Sequence, residues 1–135
     1  RYLILDVAWF FTGVFAPAQF NSITINFPDP WPKARHHRHR FISPDFVNEL
    51  ARIAAEGCHL TFATDNYAYA REAMQVFESA AEFKNMHGQY LAVANIEGRP
   101  RSFFENLHRN EGAIIYFLEY QRLKSHGQSA ANISA

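Results

Sequence analysis

The sequence predicts a single α/β domain built around a parallel β-sheet. Short apolar runs typical of buried strands alternate along the chain with helical patterns. This alternation is typical of βαβ units, whose strands run parallel. The length of 135 residues fits one domain, and neither an internal repeat nor a linker divides the chain.

Four short segments, apolar or rich in Ile and Thr, carry the main strand predictions. They are residues 2–5, 22–26, 58–63 and 113–120. A weaker strand is expected within residues 83–93, and residues 99–106 are predicted to form a loop or turn.

Helices are predicted over residues 8–15, from residue 44 onwards and over residues 66–79. The second has clear starting signals, with Ser43 as N-cap, Pro44 in the first turn and Asp45 near the positive end of the helix dipole. Its apolar side chains recur at helical spacing, and Gly57 is expected to end it.

The composition excludes several classes of protein. Apolar residues make up 48% of the chain, enough for a folded core. Thirteen basic side chains balance 13 acidic ones, so nucleic acid would need a local basic patch. The single cysteine, Cys58, excludes an internal disulfide and a zinc finger, and it suits a reducing cytoplasm. The apolar runs are too short to span a bilayer.

Three acidic residues end or closely follow predicted strands: Asp6, Asp29 and Asp65. Ligands of open α/β sheets bind beyond the carboxyl ends of the strands, where parallel strands would gather these side chains. Aspartate is also common at turns for purely structural reasons. Three at one edge nevertheless favour a functional site.

The loop that contains Asp29 is the most unusual feature. Pro28 and Pro30 flank the aspartate, and Trp31 follows. The prolines restrict the backbone on both sides, so the carboxylate is preorganised, as a reacting site requires. The alternative is a rigid turn with Trp31 as an ordinary core residue.

Residues 33–40 carry four fixed positive charges and three histidines directly after this loop. Such a density of cations suits phosphate contacts, although a solvated basic loop is the simpler alternative. A metal site at His36, His37 and His39 is disfavoured, because the cations oppose a metal ion and adjacent histidines rarely converge. No metal is therefore expected.

Residues 26–36 read NFPDPWPKARH. The string resembles the signature of the bacterial tRNA (guanine-N7)-methyltransferase family, Phe-Pro-Asp-Pro-Trp followed by Lys and an Arg-His-rich run. Similar segments follow in the family's order over residues 64–69 and 102–112, so the resemblance covers about residues 2–123. It implies a Rossmann-like methyltransferase sheet and transfer of a methyl group from S-adenosylmethionine to N7 of a guanine in tRNA.

The resemblance also implies roles for individual residues. Asp29 would be the catalytic aspartate and lie against the cofactor, and Asp6 would lie near the adenine end of the cofactor. Contacts with the substrate guanosine region are implied for Lys33, Asp65, Ser102, Phe103, Phe104 and Glu105. Contacts with the tRNA backbone are implied for Arg35, His36, His37, Arg38, His39 and Arg40.

The chain departs from the family pattern in three places. Ser102 stands where Thr is usual, and His39 stands where Arg is common, which makes one phosphate contact weaker or pH-dependent. The family's N-terminal Gly-rich cofactor loop is absent, since no Gly-x-Gly occurs. We therefore expect residues 1–124 to be the C-terminal part of one methyltransferase domain, with an incomplete sheet that lacks its N-terminal βαβ units, and residues 125–135 to be a flexible tail. Such a fragment is expected to be inactive.

Two alternatives stay open. Methyltransferases of this fold that act on exocyclic amino groups have Asn or Asp followed by Pro-Pro and an aromatic residue, whereas the prolines here alternate with Asp29. A non-catalytic tRNA-binding module or remnant would account for the absent Gly-rich loop. It would bind tRNA without affinity for the cofactor.

Overall fold

A computed structural model describes residues 13–124, in which four strands form one sheet. The elements in chain order are β1 (Phe20–Asn26), a 3-10 helix (Ala34–His39), α1 (Pro44–Ile53), β2 (Ala54–Thr64), α2 (Tyr67–Glu78), β3 (Phe83–Asn85), α3 (Phe103–Asn110) and β4 (Tyr116–Arg122). Asp6, the strand predicted at residues 2–5, most of the helix predicted at residues 8–15 and the tail from residue 125 lie outside the described residues.

The sheet is mixed, with the strand order β1-β2-β4-β3. β1 and β2 run parallel, with Asn26 opposite Ala63. β4 lies antiparallel between β2 and β3, with Tyr116 opposite Thr64. The predicted α/β class is confirmed, but the expectation of an all-parallel sheet is wrong. Because β4 enters at the edge where β1 and β2 end, three connections meet there.

The helix starts follow from their capping residues. The Ser43 hydroxyl accepts a hydrogen bond from the Phe46 amide at 3.2 Å and begins α1 as predicted. Asn66 Oδ1 accepts one from the Tyr69 amide at 2.9 Å and begins α2. These caps satisfy amides that have no partner within the helix.

Gly57 does not end α1, contrary to the sequence prediction. The helix ends at Ile53 and β2 begins at once with Ala54. Gly57 lies within β2 at φ +78°, where the register with β1 shifts. Glycine tolerates this left-handed conformation, which the bulge requires.

The loop predicted over residues 99–106 is confirmed only up to residue 102, because α3 begins at Phe103. The Ser102 hydroxyl accepts a hydrogen bond from the Glu105 amide at 3.1 Å. The Ser-x-x-Glu spacing is a capping-box signal that marks a helix start in the sequence. α3 and its N-cap together carry four of the six substrate-contact residues implied by the resemblance, so this error concerns the site directly.

The main core lies between one face of the sheet and the helices α1 and α2. Val47 and Leu50 of α1 and Phe77 of α2 pack there against Phe62 and Tyr120 of the strands. A second, smaller cluster of buried Ala63, Ile115 and Phe117 lies under the edge where β1 and β2 end. The ring of Phe27 packs against this second cluster and anchors the loop that follows β1.

Candidate functional site

The loop after β1 holds Asp29 between two residues with left-handed backbone. Phe27 has φ 49° and Trp31 has φ 43°, and neither is glycine. This conformation costs a non-glycine residue about 1–3 kcal/mol and persists only where the surroundings impose it. Strain of this kind is concentrated at functional sites. The proline-flanked aspartate is thus held in an imposed geometry, not in a relaxed turn.

Three hydrogen bonds impose that geometry. The Phe27 amide donates to the Ala63 carbonyl at 2.8 Å and extends the pairing with β2. The Trp31 amide donates to Asp29 Oδ1 at 2.9 Å. Asp29 itself is exposed, and its Oδ2 receives no hydrogen bond from the described residues. One carboxylate oxygen therefore fixes the loop, and the other is available to a ligand.

Arg40 provides the third hydrogen bond from a buried position. Its Nε donates to the Pro30 carbonyl at 2.5 Å, and its Nη1 lies 2.5 Å from a carboxylate oxygen of Glu72. The guanidinium lies 4.9 Å from the ring centre of Tyr69. The Arg40 side chain is only 2% exposed, so it ties the loop to α2 and faces the protein interior. Burial raises the pKa of Tyr69 to about 12.

The other cations of this segment face solvent. Lys33, Arg35 and Arg38 are exposed, and none of them pairs with a carboxylate among residues 13–124. Such side chains keep their charge available for phosphate groups. The structure therefore divides the basic run into three outward cations and one inward cation.

The histidines of the 3-10 helix hold the loop. The rings of His36 and His39 pack on Trp31, with centroids 5.7 Å and 4.8 Å from the indole. His37 lies 3.4 Å from the Pro32 carbonyl and 3.6 Å from Glu72. Trp31 therefore supports the 3-10 helix at the protein surface. It is neither an ordinary core residue nor a freely exposed ring beside Asp29.

Asp65 follows β2 at the same edge of the sheet and faces α3. Its Oδ2 lies 3.3 Å from His108 Nδ1. The His108 ring stacks on Phe27, with centroids 5.5 Å apart and planes at 21°. His108 therefore connects the loop after β1 with the loop after β2. Asp65 is one-third exposed, so part of its carboxylate stays open to a ligand.

Glu105 is a buried residue of α3, and three arginines surround its carboxylate. It is 1% exposed, with Arg99 at 2.7 Å, Arg109 at 3.0 Å and Arg101 at 3.9 Å. Burial alone would raise the pKa of its carboxyl, but hydrogen bonds from Arg99 and Arg109, and their charges, lower it below the usual value. The Glu105 carboxylate therefore holds α3 in place through its arginine partners.

The neighbours of Glu105 have different positions. Ser102 is engaged as the N-cap of α3. Phe103 and Phe104 are 78% and 60% exposed, so their rings are available at the surface. Arg99 also donates to Asn26 Oδ1 at 2.9 Å, which joins α3 to the end of β1. α3 thus presents aromatic rings outward and anchors itself through charged groups inward.

The structure brings into the site residues to which the sequence assigned no role. Asn26, Arg99 and His108 connect α3 with the ends of β1 and β2, and Arg109 pairs with Glu105 within α3. The unrecognised capping box at Ser102 was the available signal, since a helix from Phe103 places Arg109 four residues after Glu105, within ion-pair reach. No local signal marks Asn26 or Arg99.

No group of three or more His, Cys, Asp or Glu side chains within residues 13–124 is arranged to hold a metal ion. In the same part of the chain, no helix is long and apolar enough to cross a membrane. The arrangement offers an exposed carboxylate, a second carboxylate oriented by a histidine, and a row of free cations at one sheet edge. These groups suit a cationic or hydrogen-bond-donating ligand attached to a phosphate backbone.

Comparison with known proteins gives consistent matches. The model of a family described as "Putative methyltransferase" matches residues 1–118. Three curated relatives are tRNA (guanine-N(7)-)-methyltransferases: one from Chlamydia muridarum, 38% identical over 82% of this chain and 49% of its own length; one from Leptospira interrogans, 34% identical over 88% and 54%; and one from Leifsonia xyli subsp. xyli, 39% identical over 84% and 50%. The chain spans about half the length of the curated relatives it matches.

Proposed function

This chain belongs to the methyltransferase family whose model it matches, and we propose that it forms the tRNA-facing half of the active site of an enzyme that methylates N7 of a guanine in tRNA. The methyl donor proposed is S-adenosylmethionine, and the proposed place of action is the cytoplasm. The relatives named as tRNA (guanine-N(7)-)-methyltransferases support this substrate. The single observation that carries the proposal is the proline-flanked, exposed Asp29, held between the left-handed residues Phe27 and Trp31 and followed by three exposed cations.

The residues at this edge fit the proposed donor. S-adenosylmethionine carries an ammonium and a sulfonium, and exposed Asp29 keeps Oδ2 without a donor among the described residues. Asp29 would hold the molecule; the resemblance adds Asp6, which lies outside those residues. When bound, S-adenosylmethionine supplies an activated methyl group on a sulfonium sulfur.

Guanine N7 carries a free lone pair at neutral pH, so no base has to remove a proton from it. The purine gains positive charge as it takes the methyl group. Asp29 acts by stabilising this charge and by orienting the reacting groups, because its geometry is imposed before the substrate arrives. We propose this electrostatic and orienting role in place of proton abstraction.

Asp65 would select guanine over adenine. The Watson–Crick edge of guanine presents N–H donors that a carboxylate can accept, whereas adenine presents an acceptor at N1. His108 holds Asp65 Oδ2 at 3.3 Å, which orients the carboxylate. The exposed rings of Phe103 and Phe104 stand on the same helix as His108 and would contact the extruded nucleoside.

Lys33, Arg35 and Arg38 would bind the tRNA backbone. They are exposed cations on one short helix and its cap, next to Asp29. Contacts of this kind position the RNA and weaken with salt. His36, His37 and His39 are proposed to support this surface through Trp31 and Glu72, since their rings pack on these residues.

The test measures transfer of a labelled methyl group to a tRNA transcript by the full-length protein, with Asp29→Asn and, as matched control, Asp45→Asn. Asp45 is an exposed aspartate in the first turn of α1. We expect Asp29→Asn to lower kcat/KM on the order of 100-fold and Asp45→Asn to leave it near the wild-type value. Near-normal turnover by Asp29→Asn would remove Asp29 from the reaction. Tight tRNA binding without donor affinity in the wild type would favour the non-catalytic tRNA-binding module.

A further inference from the structure

We call the end of the sheet at which β1 and β2 end the site edge. Three tyrosines form an open cleft on its α2 side. Tyr67 begins α2, Tyr116 begins β4 opposite Thr64, and Tyr90 lies in the loop after β3. Arg71, Met74 and Gln75 complete most of the lining of what we call the tyrosine cleft, whose volume is about 500 Å³. This volume lies within the range of about 300–1,000 Å³ that is typical of small-molecule sites.

The walls of the tyrosine cleft are aromatic and cationic. Tyr67 is 59% and Tyr90 56% exposed. The Tyr67 and Tyr116 rings lie 5.6 Å apart. The Arg71 guanidinium lies 6.0 Å from the Tyr67 ring, and Arg71 has no carboxylate partner among residues 13–124. Exposed ring faces beside a free guanidinium are the surface on which proteins stack an unpaired base and bind its phosphate.

The position of Tyr90 is imposed by its surroundings. Its φ of 58° is left-handed, which is rare and costly for a bulky residue. Glu78 Oε1 accepts hydrogen bonds from the Tyr90 amide at 2.9 Å, Asn85 Nδ2 at 3.0 Å and the Tyr120 hydroxyl at 3.2 Å. These contacts hold the loop with the Tyr90 ring exposed, so one wall of the cleft is preformed.

The tyrosine cleft adjoins the site edge, since Tyr67 follows Asp65 by two positions. Extruding a guanosine from its stack exposes the faces of the bases on either side of it. We propose that the tyrosine cleft binds one unpaired nucleotide next to the target guanosine, with its base on the tyrosine rings and its phosphate on Arg71. This inference rests on the proposed function, and it adds a second nucleotide site to it.

The test uses the full-length protein, a tRNA transcript and transcripts with 2-aminopurine on either side of the methylated guanosine. Tyr67→Ala and Tyr90→Ala are each expected to weaken tRNA binding roughly tenfold. Tyr67→Phe and Tyr90→Phe keep the stacking ring, so their affinity for tRNA should stay within about twofold of the wild-type value. Arg71→Gln is expected to weaken binding and reduce its dependence on salt. Met86→Ala, at an exposed position that does not line the cleft, is the matched control.

A direct readout accompanies these affinities. With wild type, binding is expected to quench the fluorescence of one 2-aminopurine, and Tyr67→Ala is expected to abolish the quenching. Unchanged affinity and quenching in both alanine variants, with the wild type methylating tRNA, would overturn the cleft assignment alone. A change in oligomeric mass on Tyr67→Ala would also overturn it, in favour of a protein contact. Failure of the wild type to bind tRNA would instead overturn the proposed function, and the cleft assignment with it.

Discussion

His108 of α3 faces Asp65, the residue that follows β2, with Nδ1 3.3 Å from Oδ2. The same imidazole stacks on Phe27, directly before the loop that holds Asp29. One side chain of α3 therefore contacts both loops that carry the candidate aspartates. The relative position of these loops depends on α3.

The first prediction separates the two contacts of His108. His108→Phe retains a ring to stack on Phe27 but removes the nitrogen that faces Asp65. We expect nearly unchanged thermal stability and about a tenfold loss of kcat/KM for tRNA, because a small displacement of a positioning group is costly. Methyl transfer and thermal unfolding measure the two effects, and His108→Asn should restore part of the activity. Full activity in His108→Phe would show that Asp65 needs no such support.

The second prediction concerns two arginines only two positions apart. Arg40→Met removes charged hydrogen bonds to Pro30 and Glu72 and should lower the free energy of unfolding by about 1.5–3 kcal/mol. Arg38 is exposed, so Arg38→Met should change stability by less than about 0.5 kcal/mol but weaken tRNA binding. Urea unfolding and filter binding test the pair. Equal stability losses would contradict the assignment of an inward and an outward cation.

The third prediction is a dependence on pH. The folded state lowers the pKa of Glu105 through Arg99 and Arg109, despite burial. The resulting stabilisation is therefore present above the unfolded value of about 4.3 and is lost as pH falls through the folded pKa. Glu105→Gln should unfold more easily than wild type at pH 7, and the difference should narrow below about pH 4. Thermal unfolding at several pH values measures it, and exposed Glu97→Gln is the control. If the stability difference between Glu105→Gln and wild type persisted below about pH 4, its cause would be altered packing and not the charge of Glu105.

The fourth prediction uses salt. Lys33→Gln and Arg35→Gln should each reduce the slope of log affinity for tRNA against log salt concentration by about 1, since each removes one phosphate contact. Lys84→Gln, an exposed lysine of β3 outside this surface, should leave the slope unchanged. Identical slopes in all three variants would place the RNA elsewhere on the protein.

Several features of the fold and site follow from short stretches of chain. Ser43 with Pro44 marks the start of α1 because a cap and the φ of proline act within one turn. The prolines around Asp29 restrict the backbone in the same local way. The Ser102 cap was equally local, and α3 was predictable from it although a loop was expected.

Other features depend on residues far apart in the chain. Nothing in the run from Lys33 to Arg40 distinguishes its last arginine from the others. Arg40 is nevertheless buried, because it forms an ion pair with Glu72 and its guanidinium lies over the Tyr69 ring of α2. β4 likewise runs antiparallel to β2, because its first residue, Tyr116, lies opposite Thr64 at the end of β2.

The sequence therefore predicts which chemical groups lie at the site edge, because prolines, helix caps and a dense run of cations act on residues close to them in the chain. Which of those side chains reach solvent was decided by folding. Glu105 and Arg40 became internal supports, and Asp29 and Arg38 stayed exposed. The physical reason is that a charged group is buried only where opposite charges and hydrogen-bond partners compensate its lost hydration, and those partners come from other elements.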